Sequence, residues 1–216
     1  MNVQIIQSAI DFAKKELIKY DSGHDWYHTY RVWSISKQIA KKEKADMFVV
    51  ELAALLHDIA DAKFHNGDEE IGPIMASTFL KKNNVSSKII EQVVFIIRNI
   101  SFKSKEIEKI EKPIEFQIVQ DADRLDAIGA IGIARVFAYG GFRNQKIFDP
   151  EIPPALNITK EEYKNHTSTS INHFYEKLLK LKDLMNTETG RALALKRHKF
   201  MEKYLEQFFE EWNCII

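Results

Sequence analysis

Apolar residues recur at intervals of three and four along nearly the whole chain. Glycine and proline, which tight turns demand, number only 8 and 5 in 216 residues. That combination points to an all-α fold and argues against a sandwich or barrel, which needs a turn every few residues. Ile6, Ile10, Ala13 and Leu17 make the first stripe and predict a helix over 2–20. Further helices are predicted over 24–44, 47–61, 67–82 and 86–100. Pro73 sits near the start of the fourth, where it is tolerated. A long helix follows over 114–139, expected to stop at Gly140-Gly141, and its IGAIGIA stretch would let a neighbouring helix approach closely. Two more are predicted over 168–185 and 188–212, about eight in all, separated by the cap-like Asn186-Thr187. Residues 103–113 read as a mixed-charge loop. Residues 140–160 show no period, and an irregular stretch of that length predicts a lid over a site.

No repeat or linker divides the chain, so 1–216 reads as a single domain, ordinary in its 45% hydrophobic and 29% charged content. The formal net charge is zero, which removes a whole-chain electrostatic case for nucleic acid or an anionic membrane. Cys214 is the only cysteine, which excludes an internal disulfide and a Cys-rich zinc site and fits a reducing cytoplasm. The first residues carry no basic leader, and no apolar run reaches the roughly 18–20 residues of a membrane span. In sequence an apolar surface stripe looks the same as a core stripe, so self-association stays open.

The chemistry is carried by polar residues set among apolar ones. His57-Asp58 interrupts the most apolar segment, AALLHDIAD, and burying such groups is expensive unless they are paired or hold a metal. On a helix the two side chains diverge by about 100°, so one ion over the gap between them can take both. Asp61, three and four residues on, falls on the same face. Alone, the dipeptide reads first as a histidine satisfied by its neighbours with Asp61 near a helix end, and the metal reading needs the other helices. In SGHDWYHTYRVW, His24, His28 and Arg31 form a stripe of two imidazoles and a guanidinium, although His28 also suits stacking among Trp26, Tyr27 and Trp33. In IVQDADRLDAIGAIGIA, Asp121, Asp123 and Asp126 sit in apolar surroundings where aspartate is a poor helix former. Arg124 and Arg135 are their alternative partners. Two histidines and two aspartates from three helices make a mixed nitrogen and oxygen donor set. Such a set suits Mn²⁺, Fe²⁺, Ni²⁺ or Zn²⁺ better than Ca²⁺ or Mg²⁺, and it leaves positions for water and substrate.

The strings SGHDWYHTYRV, LAALLHDIAD, IVQDADRLDAIGAIGIARVFAYGG and HFYEKLLKL resemble the HD-domain superfamily of metal-dependent phosphohydrolases. They are similar in particular to its small stand-alone bacterial branch of nucleotide pyrophosphohydrolases. The resemblance covers nearly the whole chain. It implies metal ligation by His28, His57, Asp58 and Asp123, with Asp126 supporting them from outside and Asp121 facing away. It also implies an acidic catalytic residue at Asp61, and one divalent ion, Mn²⁺ ahead of Mg²⁺, Fe²⁺, Ni²⁺ and Zn²⁺. The GYP signature of the cyclic-di-GMP branch is absent.

The expected reaction is hydrolysis of a nucleoside triphosphate to the monophosphate and pyrophosphate. A phosphomonoesterase or phosphodiesterase on the same centre is the alternative within the enzyme class, and a nucleotide-sensing module with negligible turnover is the alternative outside it. His24, Arg31, Lys103 and Arg143 are candidate phosphate contacts, with Phe142 available to stack on a base. Lys63 is a weaker phosphate candidate, and His65, in AKFHNGD, reads first as a loop residue. The partner is a small phosphorylated molecule, with no nucleic-acid polymer and no membrane.

Overall fold

The computed structural model describes residues 2–18, 25–60, 68–100, 112–156 and 167–215. Among these every regular element is helical: α1 Asn2–Leu17, α2 Trp26–Glu43, α3 Met47–Leu56, α4 Ile71–Lys82, α5 Ser87–Asn99, α6 Ile114–Asp126, α7 Gly129–Phe142, α8 Ser170–Glu176, the 3₁₀ helix Leu178–Leu184, and α9 Glu188–Trp212. The all-α expectation holds. The chain divides into two compact units, 1–123 and 124–216, with the division falling inside α6.

In the first unit α3 is central, packing against α1, α2 and α5. Its position follows from its composition. Asp46 caps the helix by accepting from the N–H groups of Phe48 and Val49, and Leu52 through Leu56 are wholly buried. Burial of such side chains stabilises by about 1.5–3 kcal/mol each. Asp25 caps α2, accepting from the N–H of His28 at 2.7 Å, and the left-handed Lys44 closes its other end. Arg98 on α5 meets Glu70 at the start of α4 through paired hydrogen bonds, which lower the Glu70 carboxyl below its usual range. Phe95 of α5 and Phe116 of α6 are in ring contact.

In the second unit α9 packs on α7 and on the 3₁₀ helix, and the latter also packs on α8. Phe174 and Tyr204 stack at 5.9 Å within an aromatic cluster. Residues 143–156 are fastened to this unit. The N–H groups of Ser170 and Ile171 donate to the carbonyls of Lys146 and Ile147. Asn172 donates to the Ile152 carbonyl, and the Phe148 ring packs edge-on against Phe209 and Trp212.

Four expected elements are corrected. The third helix ends at Leu56, not Asp61, because the chain turns at His57, whose ring takes up an end carbonyl. The 114–139 helix is two helices bent by 63°, and Gly129 at φ +78° opens the second. Gly140 and Gly141 do not stop α7, which continues to Phe142. A Cβ on Gly140 would lie 2.3 Å from the Ser170 hydroxyl, so this glycine serves close approach rather than termination. The 168–185 helix breaks at Lys177, and the threefold spacing of buried Leu178 and Leu181 suits the 3₁₀ geometry that follows. Thr187 caps α9 by accepting from the Gly190 N–H, as the cap-like Asn186-Thr187 predicts. No single described helix is long and apolar enough to cross a membrane.

Candidate metal centre

The first unit brings the donor atoms of His28, His57 and Asp58 to one point, all within 4.8 Å of one another, with Asp123 beside His28. His28 reaches it from the first turn of α2, and His57 and Asp58 from the turn that ends α3. Asp123 approaches His28 from α6. Asp58 Oδ2 lies 3.3 Å from His28 Nε2 and 3.5 Å from His57 Nε2. The two Nε2 atoms are 3.4 Å apart, and Asp123 Oδ1 is 3.5 Å from His28 Nε2. Both imidazoles are buried, while the two carboxylates are partly open.

The spacings within this cluster are longer than strong hydrogen bonds and suit a set of metal donors. His57 Nδ1 lies 2.9 Å from the Ala54 carbonyl, which can only accept, so Nδ1 carries the proton and Nε2 presents a lone pair. His28 Nε2 has one site for a proton yet faces three acceptors, none near the roughly 2.9 Å of a good bond. A cation among the donor atoms of His28, His57 and Asp58 would answer all three, with Asp123 at its edge beside His28. Two donors about 2.1 Å from one ion and 90–110° apart are separated by about 3.0–3.4 Å, and the observed spacings of 3.3–3.5 Å match that closely. The residues fit a divalent metal, and the pairing of imidazole with carboxylate favours a transition ion.

Two supports were missed in the sequence. The Asp25 cap fixes the backbone at His28, and its signal was an aspartate just before an aromatic helix start. The Ala54 carbonyl sets the His57 tautomer, and a backbone atom leaves no signal in side-chain spacing. Because the helix ends at Leu56, the helical argument placing Asp61 on the face of His57 and Asp58 does not apply; Asp61 lies outside the described residues, as do His24, Lys63, His65 and Lys103.

The remaining site candidates are spread between the two units. Asp121 is buried, and Arg31 is partly buried on α2. Asp126 is buried and is held by Arg135 of α7 in the second unit, so the ion-pair alternative applies to this acid. Arg124 donates to the Leu184 carbonyl. Arg143 caps α7 with an exposed side chain, next to exposed Phe142.

The HD domain family matches residues 25–128, a span that holds His28, His57, Asp58 and Asp123. YpgQ of Bacillus subtilis is 39% identical over 191 residues, covering 86% of this chain and 83% of that protein. Among solved structures, an HD-superfamily hydrolase from Bacillus thuringiensis is 44% identical with a TM-score of 0.79, covering 99% of both chains. The crystal structure of YpgQ in complex with ADP superposes with a TM-score of 0.73 at 32% identity, covering 97% of this chain and 96% of that one.

Proposed function

The chain belongs to the HD-domain superfamily and is a metal-dependent phosphohydrolase, and from that premise we propose that it cleaves nucleoside triphosphates to the monophosphate and pyrophosphate at the cluster of His28, His57, Asp58 and Asp123. The observation that carries this reading is the convergence of the His28, His57 and Asp58 donor atoms at 3.3–3.5 Å, with Asp123 3.5 Å from His28. The ADP complex of YpgQ supports a nucleotide as the ligand class.

His28, His57, Asp58 and Asp123 would hold the ion, Mn²⁺ in this reading. Such an ion acidifies water and offsets negative charge on phosphoryl oxygens. Ala54 keeps the His57 ring in the tautomer that the donor set requires. Asp61 takes the proton of the attacking water as the new bond to the α-phosphorus forms. The bond from that phosphorus to the bridging oxygen breaks, and pyrophosphate leaves. Arg31 and His24 meet phosphate oxygens and stabilise charge as it shifts, with Lys103 and Arg143 as further candidate contacts. We place this activity in the cytoplasm, which the single cysteine supports.

The test is a screen of the manganese-loaded protein against nucleoside tri-, di- and monophosphates with pyrophosphate and orthophosphate both quantified. Pyrophosphate and monophosphate in equal amounts from triphosphates is the expected result. Orthophosphate alone, chiefly from monophosphates, would replace this reading with a phosphomonoesterase on the same centre.

A further inference from the structure

Three of the four aromatic rings in the first half of α2 are committed to the protein. Trp26 contacts Tyr30, and Tyr30 contacts Trp33, each with ring centres 6.1 Å apart. The Lys14 ammonium lies over Trp26 and the Lys37 ammonium over Trp33. The Trp33 indole donates to Glu51 at 3.0 Å. Tyr27 stands apart. It is 67% exposed, and no hydrogen bond or ring contact engages it among the described residues.

Its position on the helix is specific. Taking the His28 imidazole as the origin, Arg31 leaves α2 about 60° round the axis and Tyr27 about 100° round in the same direction. Trp26, Tyr30 and Trp33 all lie about 140–200° away, on the far side. The stripe beside the donor cluster therefore runs imidazole, guanidinium, phenol. A nucleotide has the same order of chemistry: phosphates that need a metal and cations, then a flat aromatic base.

We propose that Tyr27 is a substrate-positioning residue whose ring forms the stacking platform for the nucleobase. The inference rests on the nucleotide reading above and names the side chain that would recognise the base. A tyrosine on a helix brings a large rigid face with only two torsions to fix, so little is lost on ordering it. Stacking on such a face tolerates every base, so the contact selects nucleotides as a class rather than one base.

The test compares ADP with inorganic pyrophosphate, which carries the same charged group without a base, by calorimetric titration into the manganese-loaded protein. Tyr27→Ala is expected to weaken ADP about tenfold and leave pyrophosphate within about twofold, with Tyr27→Phe restoring ADP binding. Unchanged ADP affinity in Tyr27→Ala, or an equal loss for both ligands, overturns the platform. So does a wild-type protein that binds ADP no more tightly than pyrophosphate. A wild-type protein that binds ADP as expected, weakened in Tyr27→Ala, yet releases no pyrophosphate from ATP would refute the proposed reaction and leave the platform standing.

Discussion

His57 donates from Nδ1 to the carbonyl of Ala54 at 2.9 Å, one turn back in the helix whose end it forms. The last carbonyls of a helix lack intrahelical donors, so this bond satisfies the backbone and turns the other ring nitrogen toward His28 and Asp58. Removing either residue at this turn takes away a donor atom. His57→Ala and Asp58→Ala are each expected to purify without bound transition metal and without phosphohydrolase activity. Elemental analysis of the folded variants checks this, and full occupancy in both would remove the centre. Added Mn²⁺ at about 100 times its dissociation constant should stabilise the wild type by about 2.7 kcal/mol and the variants not at all.

Two aspartates three residues apart on α6 should behave differently. Asp123 faces His28, whereas Asp126 is buried against Arg135. Asp123→Asn is expected to lose metal with little change in urea midpoint. Asp126→Asn should keep metal but lose about 2–3 kcal/mol, because Arg135 is left without its carboxylate. Loss of metal from the Asp126 variant alone would mean that the wrong face of α6 has been assigned.

Two glycines of α7 separate by what their missing Cβ would strike. At Gly132 it would lie 2.3 Å from the carbonyl oxygen of Ala127, a backbone atom that cannot swing away. At Gly140 it would meet the Ser170 hydroxyl, which a rotamer change relieves. Gly132→Ala should cost about 2–3 kcal/mol in urea denaturation. Gly140→Ala should stay within about 1 kcal/mol of the parent, helped by the better helix propensity of alanine.

Burial, with a smaller effect from Lys177, holds the imidazole of His173 down to about 4. The unfolded chain binds that proton near pH 6.5. Between those values the unfolded state takes up a proton that the native state refuses, so stability falls as pH drops from about 6.5 to 4, by up to about 3 kcal/mol. His173→Gln should flatten that part of the curve. Urea midpoints at pH 7, 5.5 and 4.5 measure it, and an unchanged slope would show that this ring does not titrate in the window.

The helices were legible where one apolar stripe does all the packing. α9 spans Glu188–Trp212 as its periodicity predicts, and α5 is within a residue at each end. The breaks were not legible, because their causes lie elsewhere in the chain. The apolar pattern runs unbroken through Ile128, and the bend there depends on Gly129, where any Cβ would lie 3.0 Å from Arg197 of α9. Arg197 also donates to the Leu125 carbonyl that the bend exposes. The candidate donors could be listed from residue type and spacing. Which of Asp121, Asp123 and Asp126 meets His28 depends on the rotation of α6 against α2, which no local pattern encodes.

The end of α3 assigns separate duties to neighbouring letters of the chain. Leu52 to Leu56 are wholly out of water, and the next two residues carry the polar atoms of the cluster. Had His57 and Asp58 been mid-helix residues, the same turn would have needed one face for an ion and the rest for packing, and each substitution would touch both. Set at a helix end, the two roles meet at a single boundary between Leu56 and His57. Repacking the five residues before it can tune how firmly the unit holds together while the donor atoms of His57 and Asp58 beyond it keep their identity.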